Sequence, residues 1–316
     1  MKKKRKVLKR KTHILLRKRL LTISIILALI IAVGSMIFFL SLQSSEVAFS
    51  LKANIIDQLG EEFANPTFVE DVTTILETRG FNVTYHNKTL DVNFFKSLAK
   101  NNYGIIILRG HSALRQDNST VDLFTSEEYD SDDPDKYRSE RENGLLTIGE
   151  YLYVPEKYYF AVTPLFIRNL EGRFSKSIII AMGCWSLKPK CEQMAKAFFD
   201  KGAKAYVGWT NIVLPKDTDH ETVRLLKMLL NENRSLNDAV IRTTMYNYTG
   251  TPDNDQIVEI HTKMRFYPPS AENLTISELI EDAKVSSATT ALINSDNSFF
   301  LIVDAIRKPK GFKSKN

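Results

Sequence analysis

One uninterrupted run of uncharged residues constrains this chain more than any other feature. Between Leu20 and Leu42 there are 23 residues, and none of them is charged. As a helix rising about 1.5 Å per residue, the run spans roughly 34 Å, which is enough to cross the hydrocarbon core of a bilayer. It is longer than the apolar region of a cleaved signal peptide, and it ends in the bulky residues Phe38, Phe39 and Leu40. The run therefore predicts one transmembrane helix that acts as an uncleaved signal anchor.

The charges beside this run predict its orientation. Residues 1–19 contain eleven Lys and Arg residues and no acidic residue. Because Lys and Arg stay on the cytoplasmic side of a membrane, we expect a cytoplasmic tail at 1–19 and a bilayer contact at 20–42. The rest of the chain is then outside the cell, as the ectodomain of a single-pass protein of the cell membrane. Six Asn-x-Ser/Thr sequons are compatible with a glycosylated exterior: Asn82, Asn87, Asn118, Asn233, Asn247 and Asn273.

The exported part is mildly acidic. Removing the eleven tail residues from the 43 basic residues of the whole chain leaves 32, against 37 acidic residues. Such a balance provides no basic footprint for nucleic acid, so we expect no nucleic-acid partner. The length is enough for one large domain, which we place at 43–270, followed by a C-terminal extension at 271–316.

Helical and strand patterns alternate along this domain. The spacing of apolar residues predicts helices over 68–76, 90–100 and 189–201, and caps or capping boxes predict helices that start at Thr163, Thr218 and Ser235. Strand patterns occupy 81–86, 104–108, 177–182 and 205–209, and MRFYPPS is typical of an edge strand. Residues 115–143 are dense in polar residues and predict a long exposed loop. Alternating strands and helices predict an α/β fold whose mostly parallel sheet is covered on both faces.

In such sheets, function lies at the carboxyl ends of the strands. The apolar strand IIIL is followed by Arg109, Gly110, His111 and Ser112, and the strand SIIIAM is followed by Gly183, Cys184 and Trp185. A thiol, a nearby base and N–H groups directed at an oxyanion are what cysteine chemistry requires. Cys184 and His111 are the candidate nucleophile and base. The backbone N–H groups of Ser112 and Cys184 are the candidate oxyanion donors.

At these residues the chain resembles the caspase-fold cysteine peptidases, which include caspases, gingipains, clostripain and separase. Among them it is most similar to the CHAT domain branch. The blocks GIIILRGHSAL and SIIIAMGCWSL carry the resemblance, with the downstream run from Cys191 to Leu230. The family usually has Gly directly after the His, where this chain has Ser112.

The resemblance implies a caspase-like three-layer sandwich at roughly 50–270 and a peptide or protein substrate. It implies a His–Cys dyad in which His111 is the general base and Cys184 the nucleophile of a cysteine endopeptidase. Trp209, Asp217 and Asp219, which follow the next strand, are candidates for binding the substrate. Thr218 and Asp219 also fit a plain helix cap.

Two other interpretations stay open at this point. Oxidising surroundings favour a disulfide between Cys184 and Cys191, which would make the domain a non-catalytic binding or scaffold ectodomain. Alternatively, Gly110-His111-Ser112 matches part of the G-x-S-x-G nucleophile elbow of serine α/β-hydrolases, with Ser112 as the nucleophile. The sequence contains no glycine-rich cofactor motif and no metal-ligand spacing, so we expect neither a cofactor nor a metal.

Overall fold

The computed structural model describes residues 48–151, 154–250 and 258–285, together with Ser35. The chain divides into two compact units, Met1–Glu46 and Val47–Asn316, and all elements described below belong to the second. Within the described ranges, no helix is both long and apolar enough to cross a membrane. The predicted span at 20–42 lies outside the described residues, apart from Ser35.

The second unit contains twelve described strands. In chain order they are β1 (Lys52–Asp57), β2 (Asn82–His86), β3 (Ile105–Arg109), β4 (Ser112–Leu114), β5 (Val121–Glu128), β6 (Leu146–Tyr151), β7 (Val154–Val162), β8 (Ile178–Ala181), β9 (Ala205–Trp209), β10 (Tyr246–Gly250), β11 (Val258–Thr262) and β12 (Met264–Tyr267).

The described α-helices of this unit are α1 (Pro66–Thr78), α2 (Val92–Ser97), α3 (Arg138–Glu142), α4 (Pro164–Asn169), α5 (Gln193–Asp200), α6 (Pro215–Leu226), α7 (Leu236–Ile241) and α8 (276–285). Short 3-10 turns follow α2 and β12, and a π-helical turn, Lys227–Asn231, extends α6.

Six strands form the main sheet, in the order β2-β1-β3-β8-β9-β12. All neighbours are parallel except the edge strand β12, which is antiparallel to β9. The central strands are apolar from Ile105 to Leu108 in β3 and from Ile178 to Ala181 in β8 because both faces of the sheet are covered. Residues Ile105 and Ile107 of β3 pack against α1, α6, α7 and α8 on one face. Ile106 and Leu108 pack against α2, α4, α5 and the second sheet on the other face.

The second sheet, β4-β5-β7-β6, is antiparallel and follows directly from β3. A separate antiparallel hairpin consists of β10 and β11. The sequence patterns did not predict either of them.

The α/β class and the mostly parallel sheet are confirmed. The strands before His111 and Cys184 are adjacent, since β3 pairs with β8 in the register Ile105↔Ile178 to Leu108↔Ala181. The predicted caps at Thr163 and Ser235 are also confirmed, because both side chains accept backbone N–H groups of the helix that follows.

Two local predictions are wrong. Residues 115–143 are not one long exposed loop, because they include the buried strand β5 and the short helix α3. In β5, Asp122 is buried beside Arg115, whose Nε lies 2.6 Å from the Asp122 Oδ2 atom, so an acidic residue occupies an interior position. Helix α6 begins at Pro215 rather than after a Thr218 cap.

Candidate active site

The carboxyl ends of β3 and β8 deliver His111 and Cys184 to the same place. His111 lies two residues beyond the end of β3, and Cys184 lies three residues beyond the end of β8. Both residues line one open cleft of about 140 Å³. Parallel pairing thus brings together two residues that are 73 positions apart in the sequence, as the sequence analysis expected.

Glycine at position 183 allows the two strand ends to approach. A Cβ atom on Gly183 would lie 2.4 Å from the Ser112 Oγ, 2.7 Å from the Gly110 carbonyl oxygen and 3.0 Å from the Ser112 nitrogen. Any larger residue would force the Cys184 turn away from the His111 turn. Gly183 is therefore part of the site, although the sequence analysis gave it no role.

The backbone of His111 is fixed by Gln58, which follows β1. The Gln58 side-chain oxygen accepts the N–H of His111 at 3.1 Å, and its nitrogen donates to the Phe124 carbonyl at 2.6 Å. A Cβ atom on Gly110 would lie 2.2 Å from the same Gln58 oxygen. The glycine before His111 thus makes room for the side chain that orients it.

The imidazole of His111 lies beside a carboxylate. Its Nε2 is 3.4 Å from the Glu62 Oε2. Burial lowers the pKa of His111 below its usual value of 6.5, and Glu62 partly opposes this shift by hydrogen bonding and charge. At neutral pH the imidazole is therefore mainly uncharged and able to accept a proton.

Cys184 lies on a tight turn that is hydrogen-bonded to the end of β9 and to the segment that follows it. Trp185 has a left-handed φ of 53° and donates its N–H to the Asn211 carbonyl at 3.0 Å. Leu187 donates its N–H to the Trp209 carbonyl at 2.9 Å. Few non-glycine residues adopt this backbone conformation, and those that do cluster at functional sites.

The thiol of Cys184 contacts a peptide group. Its Sγ lies 3.5 Å from the Val213 nitrogen and 3.6 Å from the Val213 oxygen. Burial raises the pKa of Cys184 above the ordinary value, and the N–H groups of Val213 and of Cys184 itself oppose this only in part. The resting side chain is consequently a thiol at neutral pH.

The N–H of Ser112 points away from its own sheet. The His111 carbonyl accepts the Phe124 N–H at 3.2 Å, and Arg115 donates to the Thr120 carbonyl at 3.0 Å. Bonded and non-bonded positions alternate along an antiparallel pair. Ser112, which comes directly after the bonded His111, therefore directs its N–H away from β5. The Ser112 nitrogen instead lies beside Gly183, next to the Cys184 turn. Among the described residues, the Cys184 N–H donates to no other residue. Both residues whose N–H groups are the predicted oxyanion donors line the cleft.

The hydroxyl of Ser112 is buried and engaged. It donates to the Cys184 carbonyl at 2.5 Å. Ser112 also begins strand β4, whereas a nucleophile elbow continues directly into a helix. The geometry of a serine hydrolase is therefore not present at Ser112.

A buried ion network lies beneath the cleft. The Arg109 guanidinium donates to Asp57 through Nη1 at 2.6 Å and to Asp219 through Nε at 2.7 Å and Nη2 at 2.9 Å. Arg109 also donates to the Phe63 carbonyl at 2.7 Å. Burial lowers the pKa of Arg109, but the two carboxylates more than offset this and raise it overall. The network joins β1, β3 and α6, and no local pattern in the sequence predicts it.

The three candidates for substrate binding are placed differently from expectation. Trp209 is fully buried, and its Nε1 donates to the Thr218 hydroxyl at 2.8 Å, so it belongs to the core. Asp219 is buried against Arg109 and does not line the cleft. Asp217 accepts the Tyr248 hydroxyl at 2.7 Å outside the cleft lining. Trp185 lines the cleft instead.

The two cysteines are free thiols. The Cys191 thiol is buried and donates to the Asn118 carbonyl at 3.1 Å, whereas the Cys184 thiol contacts Val213. The disulfide left open by the sequence is therefore absent from this structure.

The described residues hold no group of three or more His, Cys, Asp or Glu side chains arranged to bind a metal ion.

No protein-family model matches the chain, and no curated protein matches it.

Proposed function

We propose that the chain is a membrane-anchored cysteine peptidase of caspase-like fold, with Cys184 as nucleophile and His111 as general base. One observation carries the proposal. The neighbouring parallel strands β3 and β8 deliver His111 and Cys184 to one cleft, which Ser112 also lines. A six-stranded, mostly parallel sheet covered on both faces supports the caspase-like fold that the sequence resembles.

In the first step, His111 accepts the thiol proton as the Cys184 sulfur attacks the carbonyl carbon of the scissile peptide bond. The carbonyl oxygen becomes an oxyanion, held by the N–H groups of Ser112 and Cys184. Such a donor contributes roughly 3 kcal/mol where its loss has been measured. The protonated His111 then donates its proton to the leaving amine, the C–N bond breaks, and a thioester on Cys184 remains.

In the second step, His111 takes a proton from a water molecule that attacks the thioester carbonyl. The same two N–H groups hold the second oxyanion. The C–S bond breaks, the carboxylic acid product leaves, and the proton returns to the thiolate. The neutral His111 and neutral Cys184 of the resting site are the states from which this cycle begins.

The resting contact between Cys184 and Val213 adds one requirement. The thiol donates to the Val213 carbonyl, so substrate binding has to turn the thiol toward His111. Apo sites often have such unformed hydrogen bonds. The same contact favours a second candidate function, a non-catalytic caspase-like ectodomain that binds peptides in the cleft.

Peptide cleavage distinguishes a peptidase from a non-catalytic ectodomain that only binds peptides. The full-length chain in detergent is incubated with a mixed peptide library, and cleavage is followed by mass spectrometry. We expect Cys184→Ala and His111→Ala each to lower cleavage at least about a thousandfold, with the folded state retained. Cys191→Ala is the matched control and should keep activity, because the Cys191 thiol lies outside the cleft. Equal cleavage by the wild type and Cys184→Ala would exclude the peptidase.

We also propose that residues 20–42 anchor the chain in the cell membrane, with the N-terminus in the cytoplasm and the domain outside. The uncharged run and its basic flank support this topology. Protease added to intact cells should then remove the domain and leave a short anchored stub. Protection of the full-length chain from external protease would overturn the topology.

A further inference from the structure

The cleft beside Cys184 has two apolar sides. Leu59 and Phe63 follow β1 on one side, and Ile212, Val213 and Leu214 follow β9 on the other. Phe63 and Leu214 are each 40% exposed, although large apolar side chains are ordinarily covered. The backbone of Val213 contacts the reactive sulfur itself. Apolar surface thus extends from the nucleophile outward on both sides.

Both sides are held in place by polar contacts behind them. The Phe63 carbonyl accepts Arg109 at 2.7 Å, and the Phe63 N–H donates to Leu59 at 2.7 Å. On the other side, the Leu214 N–H lies 3.4 Å from the Tyr248 hydroxyl, which donates to Asp217. The apolar surface is therefore a preformed feature of the site.

The charged groups that line the cleft disfavour an acidic side chain of the substrate. Asp57 and Asp219 lie at this end of the sheet, but both are buried and paired with Arg109. The acidic residues that line the cleft are Glu62 and Glu150, and Glu62 is paired with His111. Among the residues that the structure describes, no Lys or Arg side chain lines this cleft. A substrate with an acidic side chain here would meet carboxylates and no cation.

We propose that this cleft binds a peptide whose residue before the scissile bond has a large, uncharged, apolar side chain, of the size of Leu, Met or Phe. The inference rests on the proposed peptidase function and names the substrate class of the same site. Such a side chain would be buried between the Phe63 side and the Leu214 side, so its removal from water favours binding. An acidic side chain at the same position is disfavoured by Glu62 and Glu150.

The test uses the full-length chain in detergent and four fluorogenic tetrapeptides that differ only in the residue before the reporter: Leu, Ala, Lys or Asp. We expect kcat/KM for Leu to exceed that for Ala by at least about tenfold, with Lys below Leu and Asp lowest. Leu214→Lys should lower the Leu-to-Asp preference at least about tenfold. Leu165→Lys is the matched control, because Leu165 is 41% exposed on α4 and does not line the cleft. It should leave the preference unchanged.

Binding of the same peptides, without the reporter, to Cys184→Ala separates failure of this inference from failure of the proposed function. The apolar specificity is overturned if the wild type cleaves the Lys or Asp peptide best. It is also overturned if Leu214→Lys and Leu165→Lys change the preference equally. In both cases the peptidase function stands. Preferential binding of the Leu peptide without wild-type cleavage supports the apolar site and overturns the peptidase. If the wild type cleaves none of the peptides and Cys184→Ala shows no preference in binding, both the apolar specificity and the peptidase function are overturned.

Discussion

The hydroxyl of Ser112 donates a hydrogen bond to the main-chain carbonyl of Cys184 over 2.5 Å. This bond ties the turn after β3 to the turn after β8, beside the Gly183 position that has no room for a Cβ atom. It fixes the relative position of the two N–H groups that we assign to the oxyanion. Ser112 thus has a positioning role between the two turns.

Ser112→Ala tests this positioning role. Loss of the hydroxyl leaves the Cys184 carbonyl without its donor but keeps both N–H groups, so kcat/KM should fall roughly tenfold rather than vanish. Peptide cleavage at saturating and limiting substrate measures the effect. Ser97→Ala, which also removes a hydroxyl-to-carbonyl bond but in α2, serves as the control and should have no effect. A loss as large as that of Cys184→Ala would contradict a role limited to positioning.

Gly183→Ala should inactivate the site by crowding. The added Cβ would lie 2.4 Å from the Ser112 Oγ and 2.7 Å from a backbone oxygen, so the turn has to move. We expect a loss of kcat of about a hundredfold, because a misplacement of about 1 Å can cost that much. In Gly80→Ala, the new Cβ meets nothing within 4 Å, although φ is +85°. That variant should lose some stability and keep its kcat, and equal kcat losses in the two variants would contradict the assignment.

Glu62→Gln should shift the acidic limb of the pH profile of kcat/KM to lower pH. Burial holds the pKa of His111 below 6.5, and the Glu62 carboxylate raises it partway back. Without that charge the pKa of His111 falls further, so His111 stays a base to lower pH and the rise of kcat/KM shifts to lower pH. Glu61→Gln, an exposed neighbour that does not line the cleft, should leave the limb in place. An unchanged or upward-shifted limb in Glu62→Gln would refute the coupling.

Arg109→Met should strongly destabilise the domain. Arg109 is 1% exposed, and its removal leaves Asp57 and Asp219 buried without a cation. Breaking such a buried ion network by removing one partner costs about 3–5 kcal/mol of the free energy of unfolding. Denaturant titration of the full-length chain measures it. Arg168→Met removes one partner of an exposed pair with Asp200 and should cost about 0–1 kcal/mol. Similar losses for both variants would show that the network does not hold β1, β3 and α6 together.

Local sequence patterns were sufficient to predict the strands that precede His111 and Cys184. Ile105–Leu108 and Ile178–Ala181 are apolar on both faces, and only a strand in the middle of a covered sheet needs that pattern. The order of alternating elements then placed His111 and Cys184 at the same edge.

The features that were missed depend on pairing across the chain. Asp219 was a candidate for binding substrate or capping a helix, yet it pairs with Arg109, which is 110 residues away. Strand β5 was missed because Asp122 is polar, and its burial depends on Arg115. Local spacing carries no information on either partner.

The nucleophilic role of Cys184 is tested most directly by an electrophilic peptide. The full-length chain is treated with an excess of a short peptide that ends in Leu chloromethyl ketone, and the site of alkylation is mapped by mass spectrometry. We predict one adduct per chain, on Cys184, formed much more slowly in His111→Ala, while Cys191 stays unmodified because its thiol is buried. No adduct on Cys184, or alkylation of Cys184 at the same rate in His111→Ala, would contradict the dyad.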